Sequence, residues 1–228
     1  MMAKDLEIAP NCFVGATHPA FIIAELGQNH QGTYIELHCR ISKWRSQYFL
    51  IVPGDIEIAK QMIKAAKASG ADCVKFQKSH LSEKFTAKCL NRPYLSPNSF
   101  GSTYGEHKAY LEFSDEEFEI LKDFCQNEVK IAMTASAMDD LSVDFLVNLG
   151  VPFIKIGSGD SNNMILLQKV AKIIDMVAVI STGMSEISQV QQIYDIFKAS
   201  REKNLNLRKM IFWQPFFTNA WENYLKSD

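Results

Sequence analysis

The chain has 228 residues, 47% of them hydrophobic and 22% charged, with a formal net charge of −2. This composition is that of a globular protein with apolar side chains enough for a sizeable core, and its balance excludes a generally basic surface for nucleic acid or anionic membranes. Five scattered cysteines (12, 39, 73, 89 and 125) form no CxxC pair, and the opening MMAKDLEIAP carries acids and no apolar run. The expectation is a cytoplasmic protein with reduced thiols, no secretory signal and no membrane span.

Short apolar runs alternate with amphipathic ones. FIIAEL (21–26) predicts a first strand. The stretch 55–70 predicts a helix, with Asp55 as cap and Gly70 as stop. ADCVKFQ (71–77) predicts the second strand, and a Pro-, Asn-, Ser- and Gly-rich segment runs on as a long loop through residue 105. Ser114 and Glu117 form a capping box that opens a helix to about Asn127. KIAMTAS (130–136) predicts the third strand and 139–150 a helix closed by Gly150. VPFIKI (151–156), a helix over 163–174, MVAVIST (176–182) and a helix from about Ser185 to Ser200 complete the series.

Five βα units at this spacing predict a parallel sheet, and the continuous apolar strands predict one covered on both faces. A doubly wound sheet and a (β/α)8 barrel both fit. No G-x-G-x-x-G follows the first strand, which weakens the dinucleotide-binding form. Polar residues decide for the barrel. Glu25, Lys75 and Gln77, Thr134 and Ser136, Lys155 and Ser158, and Ser181 and Thr182 all fall near strand C-terminal ends, which converge on one mouth in a barrel. The expected fold class is therefore α/β, a partial (β/α)8 barrel of about five units.

Lys155 stands in an apolar strand just before Gly-Ser-Gly-Asp, and Lys75 holds the same place in CVKFQ. Two such lysines would repel one another unless an anion lay between them. Gly157 and Gly159 leave room for backbone N–H donors, and Ser158 and Ser181 add hydroxyls. The set points to a phosphate or carboxylate pocket. Glu25 reads either as partner to one of the lysines or as a group that bonds sugar hydroxyls or moves protons, and Asp160 is the second carboxylate. The five histidines (18, 30, 38, 80 and 107) show no HxxxH spacing, so no metal ligands are assigned among them.

AELGQNHQG, ADCVKFQKS, RPY, TYGEHK, FIKIGSGDSNN and ISTGM, in this order, closely resemble the sialic acid synthase family. The resemblance implies condensation of phosphoenolpyruvate with N-acetylmannosamine or its 6-phosphate. The wording TYGEHK and GSGD favours the phosphorylated sugar. It implies that Lys155, Ser158 and Ser181 hold phosphoenolpyruvate, that Lys75 lies between the two substrates, that Glu25 bonds sugar hydroxyls, and that Asp160 moves a proton as water adds. It further implies a divalent metal, manganese or magnesium, acting as a Lewis acid on the aldehyde oxygen, and a homodimer.

Two stretches depart from the family. Residues 33–54 are extra. They follow Gly32 and end with Gly54, so excision from inside one glycine codon to inside the other could restore a single glycine, and the expectation is a translated intron forming an exposed excursion. The resemblance also stops near residue 204, which leaves 205–228 as a divergent tail. Strands six to eight, the metal-binding histidines and the C-terminal antifreeze-like domain are then expected to be absent. On that expectation 1–204 is an incomplete synthase barrel domain and the chain alone is inactive. The alternative is a non-catalytic fragment, either inert or able to bind the full-length subunit.

Overall fold

The computed structural model describes residues 5–15, 17–30, 56–201 and 210–213. The expected insertion at 33–54, the cap at Asp55 and most of the tail after 204 lie outside them. The chain divides into two compact units, Met1–Pro152 and Phe153–Asp228.

The first unit opens with a hairpin not foreseen from the sequence, β1 (Leu6–Ala9) and β2 (Cys12–Val14), turned through Asn11 at φ 60°. β3 (Ile23–Gly27), α1 (Ile56–Ala68) and β4 (Cys73–Lys78) follow. The stretch expected as a long loop contains α2 (Leu81–Lys84) and α3 (Ala87–Leu90), and α4 (Tyr104–Tyr110) begins at its end. Thr103 and Glu106 form a complete capping box at the start of α4. α5 (Asp115–Asp123) begins at the expected Ser114–Glu117 box. A π-helical turn over Phe124–Val129 then carries the chain to Lys130 in left-handed backbone. β5 (Ala132–Ala137) and α6 (Asp140–Leu149) complete the unit.

β3, β4 and β5 are parallel and in sequence order, with Glu25, Lys75 and Thr134 in one cross-strand row and Gln77 beside Ser136 two residues on. The pleat sends Val74, Phe76 and Lys78 to the other face. There Phe76 meets Phe113 and Phe118 edge-on, and Phe118 meets Phe145 of α6. Phe76 and Phe118 are fully buried. Burial of each such ring contributes roughly 1.5–3 kcal/mol. Cys73 and Cys125 are fully buried as well, and burial pushes both thiols well up, Cys125 to about 12.

The second unit holds β6 (Phe153–Ile156), a 3-10 turn over Ser158–Asp160, α7 (Met164–Lys172), β7 (Val177–Ser181), α8 (Ile187–Arg201) and β8 (Met210–Trp213). β6, β7 and β8 are again parallel and in sequence order. Five strands were expected and a sixth is present. The run MIFW, inside the tail expected to diverge, pairs with β7 through Ala178–Ser181. Pro152 lies just outside β6, as a residue without an N–H suits the start of a strand. Arg201 of α8 is fully buried and donates to the carbonyls of Val170, Ala171 and Ile173, so one guanidinium closes the C-terminal end of α7. The fold class is α/β, and the order of elements is that of a partial (β/α)8 barrel.

Helix ends follow from local chemistry. Gly70 (φ 88°) and Gly150 (φ 73°) take the left-handed backbone that ends their helices. Asp139 caps α6: one carboxylate oxygen accepts from Ser142 N at 2.8 Å, and the other accepts from His80 N at 2.7 Å and Ser142 Oγ at 2.8 Å. That buried carboxylate therefore fixes both a helix start and the loop after β4. Asp139→Ala is expected to destabilise the chain by about 2–3 kcal/mol, since it removes a cap and leaves a buried N–H unpaired. Urea unfolding of the variant measures this, and a loss within 0.5 kcal/mol (about the effect of an ordinary surface change) would contradict the assignment.

Candidate functional site

In the first unit the row on the polar face of β3–β5 is held by Lys75. Its ammonium lies 2.6 Å from Glu25 Oε2 and donates to Ser136 Oγ at 2.9 Å. Lys75 is 6% exposed, whereas the Glu25 side chain is 56% exposed. The stem thus packs inside the unit and the pair opens to solvent at the carboxylate. Lys75 had been expected to need an anion between itself and Lys155. Its counter-charge is instead Glu25 on the neighbouring strand, the first of the two readings of that carboxylate. An ammonium has three N–H bonds, and these two contacts use two of them. Beyond Glu25 the register slips and Gly27 adopts φ 55°, a bulge that turns β3 into the following loop.

His30 lies in that loop and is 2% exposed. Its ring stacks on Phe113 at 3.8 Å, and its Nδ1 has no hydrogen-bond partner. Burial lowers its pKa to about 4, so the imidazole is neutral near pH 7.

The other face of β4 carries a polar cluster that sequence reasoning missed. Lys78, 3% exposed, donates to Phe113 O at 2.8 Å and contacts Asp115 at 2.8 Å and Glu112 at 3.8 Å. The Glu112 carboxyl accepts from Ser79 N and Ser79 Oγ, and burial raises its pKa. The alternation of β4 was the available signal, since Lys78 stands three positions after Lys75, an odd offset that puts them on opposite faces.

In the second unit Lys155 of β6 is 7% exposed and donates to Ile156 O at 2.9 Å. It lies beside Val179 in the register, and Ser181 follows two residues on along the same face of β7. Ser158 and Asp160 occupy the 3-10 turn after β6. The loops after β6 and β7 are tied together. Ser161 Oγ donates to Ser158 O at 2.8 Å and bonds Ser185 Oγ at 3.1 Å, and a Cβ on Gly183 would stand 3.4 Å from that of Ser158. Lys155, Ser158, Asp160 and Ser181 therefore gather at one end of this unit. Glu25 and Lys75 face one another across β3 and β4 of the other.

Among the described residues no group of three or more His, Cys, Asp and Glu side chains is arranged to hold a metal ion, so they do not fit the divalent metal expected from the resemblance. Among the same residues no helix is long and apolar enough to cross a membrane.

Parallel βα units in sequence order define an α/β protein of partial-barrel type. The solved sialic acid synthetase of Leptospira borgpetersenii, a complex with citrate, superimposes with a TM-score of 0.69 at 24% identity, covering 96% of this chain and 63% of that one. The spore coat polysaccharide biosynthesis protein SpsE of Bacillus subtilis gives 0.63 at 26% identity, over 92% and 48%. The pattern of the NeuB family matches residues 62–212, and the chain belongs to that family, the sialic acid synthases. It is 47% identical over 197 residues to the N-acetylneuraminate-9-phosphate synthase of Mus musculus and 44% identical over 195 residues to that of Drosophila melanogaster, covering 86% of this chain in each case. It spans about half the length of these relatives, 48% and 46%. The family match extends past residue 204, where the resemblance read from the sequence stopped.

The buried His30 generates a prediction about pH. Its folded pKa, about 4, lies below the ordinary 6.5, so below pH 6.5 the unfolded chain binds the extra proton first. Its contribution to stability is whole above pH 6.5 and fades as pH falls toward 4, by about 3 kcal/mol in all. His30→Phe keeps the stacking and removes the titration. Its stability between pH 7 and pH 4 should fall by that much less than in the unaltered chain, as read from urea midpoints. Identical pH slopes would contradict this assignment.

Proposed function

We propose that this protein carries the phosphoenolpyruvate-binding and sugar-binding residues of an N-acylneuraminate-9-phosphate synthase, a transferase that condenses phosphoenolpyruvate with N-acetylmannosamine 6-phosphate. The observation that carries the reading is 44–47% identity to N-acetylneuraminate-9-phosphate synthases over 86% of the chain. The geometry of each unit supports it.

In this reading the Lys155 ammonium and the Ser158 and Ser181 hydroxyls hold phosphoenolpyruvate. A charge-assisted bond to a carboxylate or phosphate oxygen is worth about twice a neutral one, and the low exposure of Lys155 strengthens it. Lys75, aimed by Glu25 and Ser136, offers its remaining N–H to the reacting groups, and the exposed Glu25 carboxylate accepts from sugar hydroxyls. C3 of phosphoenolpyruvate bonds to the aldehyde carbon, water adds at C2 and phosphate departs. Asp160 takes the proton that the water releases, and the aldehyde oxygen, left as an alkoxide when the carbon–carbon bond forms, gains a proton in its place. The divalent metal of the family reaction, manganese or magnesium, enters by resemblance alone. The described residues offer it no ligand group, and none of these steps is routed through it. Homodimer formation belongs to the same reading.

Lys155→Ala is expected to weaken phosphoenolpyruvate binding by tenfold or more, from the roughly 1.5–3 kcal/mol carried by a charge-assisted bond. Calorimetric titration of the 228-residue chain tests it, and unchanged affinity would remove Lys155 from the site. The sequence-based expectation that the chain alone is inactive is checked in the same samples. Phosphate release with both substrates and manganese, at the rate of a full-length relative, would overturn it.

A further inference from the structure

The 3-10 turn that carries Ser158 is three residues long, and so short a helix holds itself weakly. Ser161 fastens its first carbonyl twice. Ser161 N donates to Ser158 O at 3.4 Å, whereas Ser161 Oγ donates to the same oxygen at 2.8 Å, so the hydroxyl is the firmer hold. Ser161 is 3% exposed. A hydroxyl has a single proton, and a carbonyl can only accept. The Ser161 proton is therefore committed to Ser158. In the 3.1 Å contact between Ser161 Oγ and Ser185 Oγ, the half-buried Ser185 must then be the donor. The bonds run in one direction, from Ser185 through Ser161 to the carbonyl of Ser158, and each polarises the next.

The far end of this series is fixed as well. Ser185 N donates to Thr182 O at 3.1 Å, which closes a four-residue turn directly after Ser181, the last residue of β7. Met184, third in that turn, has φ 63°, a backbone that glycine or asparagine usually supplies, and the residue is 90% exposed. Its side chain gains no burial from this strained backbone; what the turn achieves is to bring Ser185 back against Ser161. Ser158 follows β6 and Ser181 ends β7, so the two hydroxyls stand on separate segments of chain. To contact one small anion together, they must be held to within about 0.5 Å of the productive geometry. We propose that Ser161 and Ser185 are positioning residues that set Ser158 against Ser181 for phosphoenolpyruvate, a role that rests on the function proposed above. Neither has to touch the ligand. Ser161 acts through the main chain of Ser158, and Ser185 acts through Ser161.

The test titrates the 228-residue chain with phosphoenolpyruvate by calorimetry, beside Ser161→Ala, Ser185→Ala, the double variant, the conservative Ser185→Thr and Lys155→Ala. Urea unfolding gives the stability of each. Each serine-to-alanine variant is expected to bind about three- to tenfold more weakly, the range for one lost neutral hydrogen bond. The double variant should bind no more weakly than the weaker single one, since the two residues act in series. Ser185→Thr keeps the donor hydroxyl and should bind as the unaltered chain does. Ser185 is half-buried, so its variants report even where Ser161→Ala fails to fold. A lowered urea midpoint with unchanged affinity would leave the serines a structural role alone and overturn the proposal. Additive losses in the double variant, or a loss that Ser185→Thr does not restore, would overturn it too. If Lys155→Ala weakens binding and the serine variants do not, the positioning role fails and the proposed function stands. If phosphoenolpyruvate binds the unaltered chain and every variant alike, or binds none of them, both fail.

Discussion

An ammonium group inside an apolar parallel strand is the constraint on which the polar face of the first unit depends. Lys75 cannot be stripped of water without a counter-charge and hydrogen-bond acceptors. β3 supplies Glu25 and β5 supplies Ser136, so one side chain makes polar contacts with both neighbouring strands. A slip of register by a single residue would carry Lys75 to the face packed with phenylalanines. The pairing that satisfies Lys75 thus also specifies how the three strands align, and the carboxylate left half in water is the part available to a ligand.

The same strand carries a second buried ammonium with the opposite task. Lys78 faces the helices, against the rings of Phe118 and Phe145, and is met by Asp115, Glu112 and a backbone carbonyl. It anchors the segment before α5 to the end of β4. Ser79, His80 and Asp139 extend that anchorage to the start of α6. The loops after β4 and β5 therefore rise from a hydrogen-bonded floor. Such pre-organisation is what electrostatic recognition of an anion needs.

Much of this was legible in the sequence because the determining interactions are local. Gly70, Gly150 and the Ser114–Glu117 box fix helix ends within a few residues, and each is found where the spacing put it. The apolar strands, too, need nothing remote to be recognised. Legibility failed where partners are distant or patterns short. Thr103–Glu106 is as good a capping box as Ser114–Glu117, but it lies among Pro, Gly and Asn residues that read as loop. The four residues of β8 gain their identity only by pairing with β7. Lys84 and Lys108 are 24 positions apart, and the three short helical pieces on and between which they lie were not read from the sequence. Glu25, Lys75 and Lys155 lie within β3, β4 and β6, and Ser181 closes β7. That Lys75 is neutralised by Glu25 could not be read from either residue alone.

The two inert thiols of the first unit have a practical consequence. Cys73 lies in the middle strand and Cys125 in the π-helical turn; neither is accessible, and burial keeps both protonated. A thiol-specific dye can attack them only when this unit opens, since the thiolate is the reactive form. The rate of their labelling in native buffer therefore acts as an internal clock for such openings, with no engineered probe required.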